Sequence, residues 1–80
     1  MKAYGYEKGS DREESTELYE VSLLLSIKEI DSLVNFLKYV KERHSSVSSV
    51  PGLYHTHFKD WIKDSRVETD FVVVTKFDNT

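Results

Sequence analysis

The stretch SIKEIDSLVNFLKYVKERH, residues 26–44, decides the fold, because it carries the clearest helix signal in a chain of 80 residues. Its first four residues fit a capping box, in which the Ser26 hydroxyl and the Glu29 carboxylate each bond a free backbone amide at the helix start. Apolar side chains then recur at the i, i+3, i+4 and i+7 spacing of one helix face, and polar side chains fall opposite. The sequence therefore predicts an amphipathic helix that begins at Ser26. Its apolar face would hold Ile30, Leu33, Val34, Leu37, Val40 and His44, and its polar face Asp31, Asn35, Lys38 and Glu42.

Two strand patterns precede this helix. Residues 17–26 alternate between faces, which is typical of a strand. Residues 2–7 are a weaker strand candidate, and a turn near Gly9 would join them to the strand of residues 17–26. We expect the alternating segment to face the core with Tyr19, Val21, Leu23 and Leu25.

Two further strand patterns follow the helix, after a serine-rich loop at residues 45–49. They are residues 53–58 and residues 70–77, the second of which contains three consecutive β-branched valines. Residues 59–64 between them predict a turn or a short helical segment. The order strand, strand, helix, strand, strand predicts a single α+β domain over residues 1–80: a small antiparallel sheet with one amphipathic helix on one face.

The sheet face that the helix does not cover has a composition that predicts a further contact. Both sides of the last strand are apolar, as Phe71 and Val73 alternate with Val72 and Val74. A sheet face in contact with water should instead carry polar residues at alternate positions. We therefore predict that this face is covered by a second copy of the chain, as a homodimer, or by another protein. Leu18, Leu24 and Tyr4 or Tyr6 would add to it.

Charge and composition exclude several classes of function. The chain has 14 acidic and 11 basic residues, and residues 1–20 hold six of the former and three of the latter, so the net charge of -3 arises there. An acidic surplus disfavours nucleic-acid binding, which needs clustered lysine and arginine. The absence of cysteine excludes disulfides and thiolate metal sites. With no apolar leader and no run near the roughly 20 apolar residues of a membrane span, we expect a cytoplasmic protein.

The densest chemical cluster is residues 55–61. His55 and His57 would point the same way from a strand, about 6–7 Å apart, and could bind one metal ion with Asp60 or Asp70 as an oxygen ligand. Two histidines alone are a weak metal signal, so structural or interface histidines are the favoured interpretation. No glycine-rich phosphate loop or glycine-flanked serine is present, and we expect no catalytic residues and no cofactor.

Aromatic and acidic residues are the candidates for binding a partner. Trp61 is most simply a core or rim anchor, and its alternative role is a hot spot at an interface. The acidic segment from Glu7 to Glu20 would be a solvated turn or a surface that steers a basic partner. The predicted partner-binding residues are Tyr4, Tyr6, Asp11, Glu13, Glu14, His55, His57 and Trp61.

Several of these features together resemble the immunity protein 32 family of bacterial polymorphic toxin systems. They are Tyr4-Gly5-Tyr6, the passage from Leu18 through Ser26 to Leu33, Phe36-Leu37, the box His55-x-His57-Phe58-x-Asp60-Trp61 and the closing residues 70–74. The resemblance spans most of the chain, apart from the serine-rich insert. It implies a small cytoplasmic antidote that binds and blocks a cognate toxin domain without chemistry of its own. The alternatives are a small homodimeric regulatory or ligand-binding domain and, third, a metal-dependent enzyme that uses His55 and His57.

Overall fold

The computed structural model describes residues 1–9, 14–47 and 52–77 of the chain. The α+β class and the predicted order of strands and helix are confirmed. A short second helix occupies the segment predicted as a turn or helical piece. The elements are β1 (Ala3–Gly5), β2 (Thr16–Leu18), α1 (Ile27–Ser46), β3 (Gly52–His57), α2 (Phe58–Ile62) and β4 (Val72–Phe77).

The four strands pair antiparallel, as predicted, but in two separate sheets of two strands rather than in one sheet. β1 pairs with β2, and β3 pairs with β4 over six residues, from Gly52 opposite Phe77 to His57 opposite Val72. Each strand pairs with its neighbour in the chain. In the sequence, α1 lies between the two strand pairs, and its 20 residues extend for about 30 Å.

The predicted strand over residues 17–26 is shorter in the structure, where β2 ends at Leu18. A strand persists only while a neighbour supplies ladder hydrogen bonds, and β1 offers three residues. The prediction that Tyr19, Val21 and Leu23 face the core is therefore wrong, since all three are exposed. Of that alternating set only Leu25 is partly buried.

The predicted start of α1 is confirmed in detail. The Glu29 amide donates to Ser26 Oγ at 3.2 Å, and the Ser26 amide donates to Glu29 Oε1 at 2.9 Å. The backbone hydrogen bond from Ser26, followed by its side-chain bond, lowers the pKa of the Glu29 carboxyl. The helix extends past His44 to Ser46, and the Val47 amide caps its end.

The core lies between α1, α2 and one side of the β3–β4 sheet. Phe36 is 0% exposed, and its ring meets those of Phe58 and Trp61 at centroid distances of 5.2 and 5.6 Å. Val40 and Phe58 complete the buried cluster, and Leu33, Ile62, Val67, Phe71 and Val73 pack against it.

This core buries a narrower part of α1 than the sequence predicts. Phe36, Val40 and His44 are its buried residues. The predicted core residues Ile30, Val34 and Leu37 are instead exposed, at 43–47%. Strands lie about 5 Å apart, so two of them cover only one stripe of a helix.

Candidate functional site

The candidate site is the side of the β3–β4 sheet that points away from α1. Side chains alternate along a strand, and Thr56 and Thr75 contact His44 on the α1 side. The opposite side, here called the outer face, consists of Leu53, His55, His57, Val72, Val74 and Lys76.

Three of the six outer-face side chains are apolar, and all three are exposed. Leu53 is 71%, Val74 56% and Val72 42% exposed. Across the ladder, His55 stands opposite Val74 and His57 opposite Val72, so aromatic rings alternate with β-branched side chains. Such an arrangement combines apolar area with polar groups that can give specificity, as interface cores do.

Asp70 fixes His57 on this face. The Asp70 Oδ2 atom lies 2.6 Å from His57 Nδ1, and Asp70 Oδ1 accepts hydrogen bonds from the amides of Lys59 and Phe71 at 3.0 and 2.9 Å. Burial raises the pKa of the Asp70 carboxyl, but these three hydrogen bonds outweigh it, so the net shift is downward. Asp70 is therefore charged at neutral pH and holds the imidazole ring in one orientation.

The predicted metal ligands come only partly together. The rings of His55 and His57 lie 5.3 Å apart, edge to face. Asp70 is hydrogen-bonded to Nδ1 of His57, so its Oδ2 atom orients the ring and already has a partner. Asp60 is exposed on α2. Within residues 1–9, 14–47 and 52–77, no group of three or more histidine, aspartate or glutamate side chains could hold a metal ion.

Trp61 occupies the position of a rim anchor. Its ring contacts Phe36, Phe58 and Tyr39, with centroid distances of 5.6, 6.0 and 6.3 Å. It lies on α2 and is partly buried against the core. The simpler of its two predicted roles is thus the one that the contacts describe.

The predicted N-terminal binding residues lie in the β1–β2 hairpin region. Tyr4 and Tyr6 are more than half exposed, and Glu14 is exposed as well. Asp11 and Glu13 lie outside the described residues. An exposed ion pair at 4.0 Å joins Lys8 of this region to Glu68, next to the second sheet. The exposed tyrosines and acidic residues of this region, here called the acidic hairpin, belong to a different sheet from the outer face, so the two are separate candidate surfaces.

Sequence reasoning placed His44 on the apolar helix face but missed its network. Its ring is 3% exposed and bridges α1 to both strands of the sheet, with Nδ1 2.7 Å from Thr75 Oγ1 and Nε2 2.9 Å from Thr56 Oγ1. The Tyr54 ring meets it edge to face at 4.8 Å. Burial, and secondarily the nearby His55, lowers the pKa of the His44 imidazole. The sequence signal for this network is that His44 follows Val40 by four residues on the same helix face, and that Thr56 and Thr75 occupy the strand positions that face α1.

Comparison of the chain with protein-family models, curated proteins and solved structures found no match in any of the three. The resemblance to the immunity protein 32 family therefore stays a prediction. In the part of the chain that the structure describes, neither helix has the length and apolar character needed to cross a membrane.

Proposed function

We propose that this chain is a non-catalytic binding protein, an antidote of the immunity protein 32 type that neutralises a cognate bacterial toxin domain in the cytoplasm. The observation that carries the proposal is the outer face. It presents Leu53, Val72 and Val74 to solvent on a sheet whose other side already packs on α1. Exposed apolar patches of this kind on small domains mark sites of protein association.

The outer face is also partly ordered before any partner binds. Its strands are tied by a six-residue ladder, and Asp70 restrains His57 through a 2.6 Å contact. A partner that binds this surface does not have to immobilise the His57 side chain, which lowers the cost of association. Lys76 at one end of the face and His55 in its middle supply polar contacts beside the apolar side chains.

Charge indicates the chemistry of the partner. The surplus of acidic residues lies in residues 1–20, where Glu14 and Glu17 are exposed in the hairpin region. A basic toxin domain, such as a nuclease, would be steered toward this end of the molecule and would associate faster at low ionic strength. The outer face would then supply the close contact and the hairpin the attraction.

Binding to the toxin domain encoded beside the gene tests the proposal. We expect the purified chain and toxin domain to form a complex by titration calorimetry, and Val74→Glu to weaken it by about 30-fold or more, because a buried interface would have to desolvate a charge. Leu24→Glu is the matched control, since Leu24 is a fully exposed apolar residue outside the sheets. It should leave the affinity unchanged.

Two results would count against this assignment. If Leu24→Glu weakens the complex as much as Val74→Glu does, the outer face is not the specific contact. If Val74→Glu instead changes the mass of the chain on its own, the outer face is an interface between copies, as the homodimer alternative predicts.

A further inference from the structure

A second unpartnered apolar surface lies on α1, separate from the outer face. It consists of Ile27, Ile30, Val34 and Leu37, here called the α1 stripe, and these side chains are 77%, 43%, 45% and 47% exposed. It runs beside the buried row formed by Phe36, Val40 and His44. The β3–β4 sheet covers the buried row and leaves the stripe open.

The stripe has the spacing of a coiled-coil seam. Its residues follow one another at intervals of three, four and three, and Lys41 continues the pattern after another four. Ile27 and Val34 then occupy a positions, and Ile30 and Leu37 occupy d positions, so four successive seam positions are apolar. A single lysine at an a position, here Lys41, is typical of seams that fix the register of the two helices at some cost in stability.

The charges beside the stripe are complementary to those of a second copy. Asp31 and Lys38 flank it on one side, both exposed, and seven residues separate them, about 10 Å along the helix axis. They are too far apart to pair within one helix. Two antiparallel helices related by an axis near the middle of α1 place Asp31 of each copy beside Lys38 of the other, so the pair forms twice.

The same arrangement accommodates Lys41. In a parallel pair, Lys41 of each copy would face Lys41 of the other at the seam, and two like charges would be desolvated together. In the antiparallel pair, Lys41 lies across from Ile30, where its methylene stem can cover the isoleucine while its amine reaches water. Val34 then packs against Leu37 of the second copy.

We infer that the α1 stripe is the contact between two copies of this chain, which associate through antiparallel α1 helices. The inference does not depend on a toxin partner, because the outer face lies on the side of the sheet away from α1 and stays open in the dimer.

Molar mass by sedimentation equilibrium tests this dimer. The chain should sediment at twice 9.3 kDa and dissociate on dilution. Leu37→Glu should weaken the dimer on the order of 100-fold, since it places a charge at each of two symmetry-related positions of the seam. Val74→Glu, the same kind of change on the outer face, should leave the mass unchanged. Circular dichroism checks that both variants keep their helix.

A charge exchange gives the decisive comparison, because Asp31→Lys and Lys38→Asp are solvent-exposed changes that should not disturb the fold. Each variant alone should dimerise roughly tenfold more weakly than the parent, because the facing pairs become alike in sign. Mixed in equal amounts, they should form a heterodimer near the parent affinity, since each lysine again meets an aspartate. A chain that is monomeric at all concentrations, a dimer lost with Val74→Glu but kept with Leu37→Glu, or no recovery on mixing would overturn the inference.

Discussion

Replacing Thr56 by valine should destabilise the protein by about 1–3 kcal/mol, because it leaves one nitrogen of the buried His44 ring without a hydrogen-bond partner. Valine has nearly the shape of threonine, so the change removes the hydroxyl and little packing. A neutral imidazole has one N–H and one lone pair, and the two threonine hydroxyls at 2.7 and 2.9 Å satisfy both. A domain of 80 residues has a total stability of about 4–12 kcal/mol, so the loss is a large fraction.

Urea unfolding at pH 7.5 measures this loss. Thr56→Ser is the matched control, because it keeps the hydroxyl and should retain more of the stability than valine does. The triple variant His44→Leu, Thr56→Val, Thr75→Val should be less destabilised than the sum of its single changes, since it removes all the polar partners together. If Thr56→Val is as stable as the parent while Thr56→Ser is not, the methyl group matters and the hydrogen bond does not, which would refute the reasoning.

The same network gives a pH dependence of stability. The pKa of the His44 imidazole is lower in the folded chain than its ordinary value of 6.5, mainly because of burial. The unfolded chain therefore binds a proton first on acidification, and the stability that is present above pH 6.5 declines as the pH falls toward the folded pKa. We expect the urea midpoint to fall between about pH 7 and 5, and the triple variant to show a flatter profile in that range. An equally steep profile in the triple variant would assign the effect to another group.

The other predictions concern single positions, each measured by urea unfolding. Phe36→Ala should cost about 3–5 kcal/mol, because it empties the centre of the core beside Phe58; a loss below that of a surface change would place the core elsewhere. Ser26→Ala should lower the free energy of unfolding by about 1 kcal/mol, because it removes the capping box, whereas Ser26→Asp should keep most of the stability. Equal losses in the two variants would show that the cap does not stabilise the helix. Lys63, which ends α2 at φ 51°, should gain about 0.5 kcal/mol on change to glycine and none on change to alanine; a gain in both would show that the left-handed backbone is not the cause.

Elements specified by local interactions could be predicted from the sequence. The start of α1 depends on two residues three apart, Ser26 and Glu29, whose capping bonds form wherever the rest of the chain lies. The strands β3 and β4 were predicted from alternation and from the β-branched Val72, Val73 and Val74, although α2 lies between them in the sequence. The α+β class and the order of the elements followed from these signals.

Features set by packing between distant segments could not be predicted in the same way. Periodicity shows that α1 is apolar over a wide arc, but which part is buried depends on the width of the sheet it meets, and two strands cover Phe36 and Val40 rather than Val34. Alternation over residues 17–26 likewise describes a segment suited to a strand, yet a strand also needs a partner, and β1 is three residues long. The outer-face histidines were found from spacing, whereas the bond from Asp70 to His57 joins residues that only the fold brings together.

Neutralisation in living cells tests the central claim most directly. The toxin domain encoded beside the gene would be expressed in a bacterial host together with the parent chain, with Val74→Glu or with Leu24→Glu, at matched protein levels. The proposal predicts that the parent and Leu24→Glu restore growth and that Val74→Glu does not. Growth arrest that persists with the parent chain present in excess, with no complex between the two purified proteins, would contradict it.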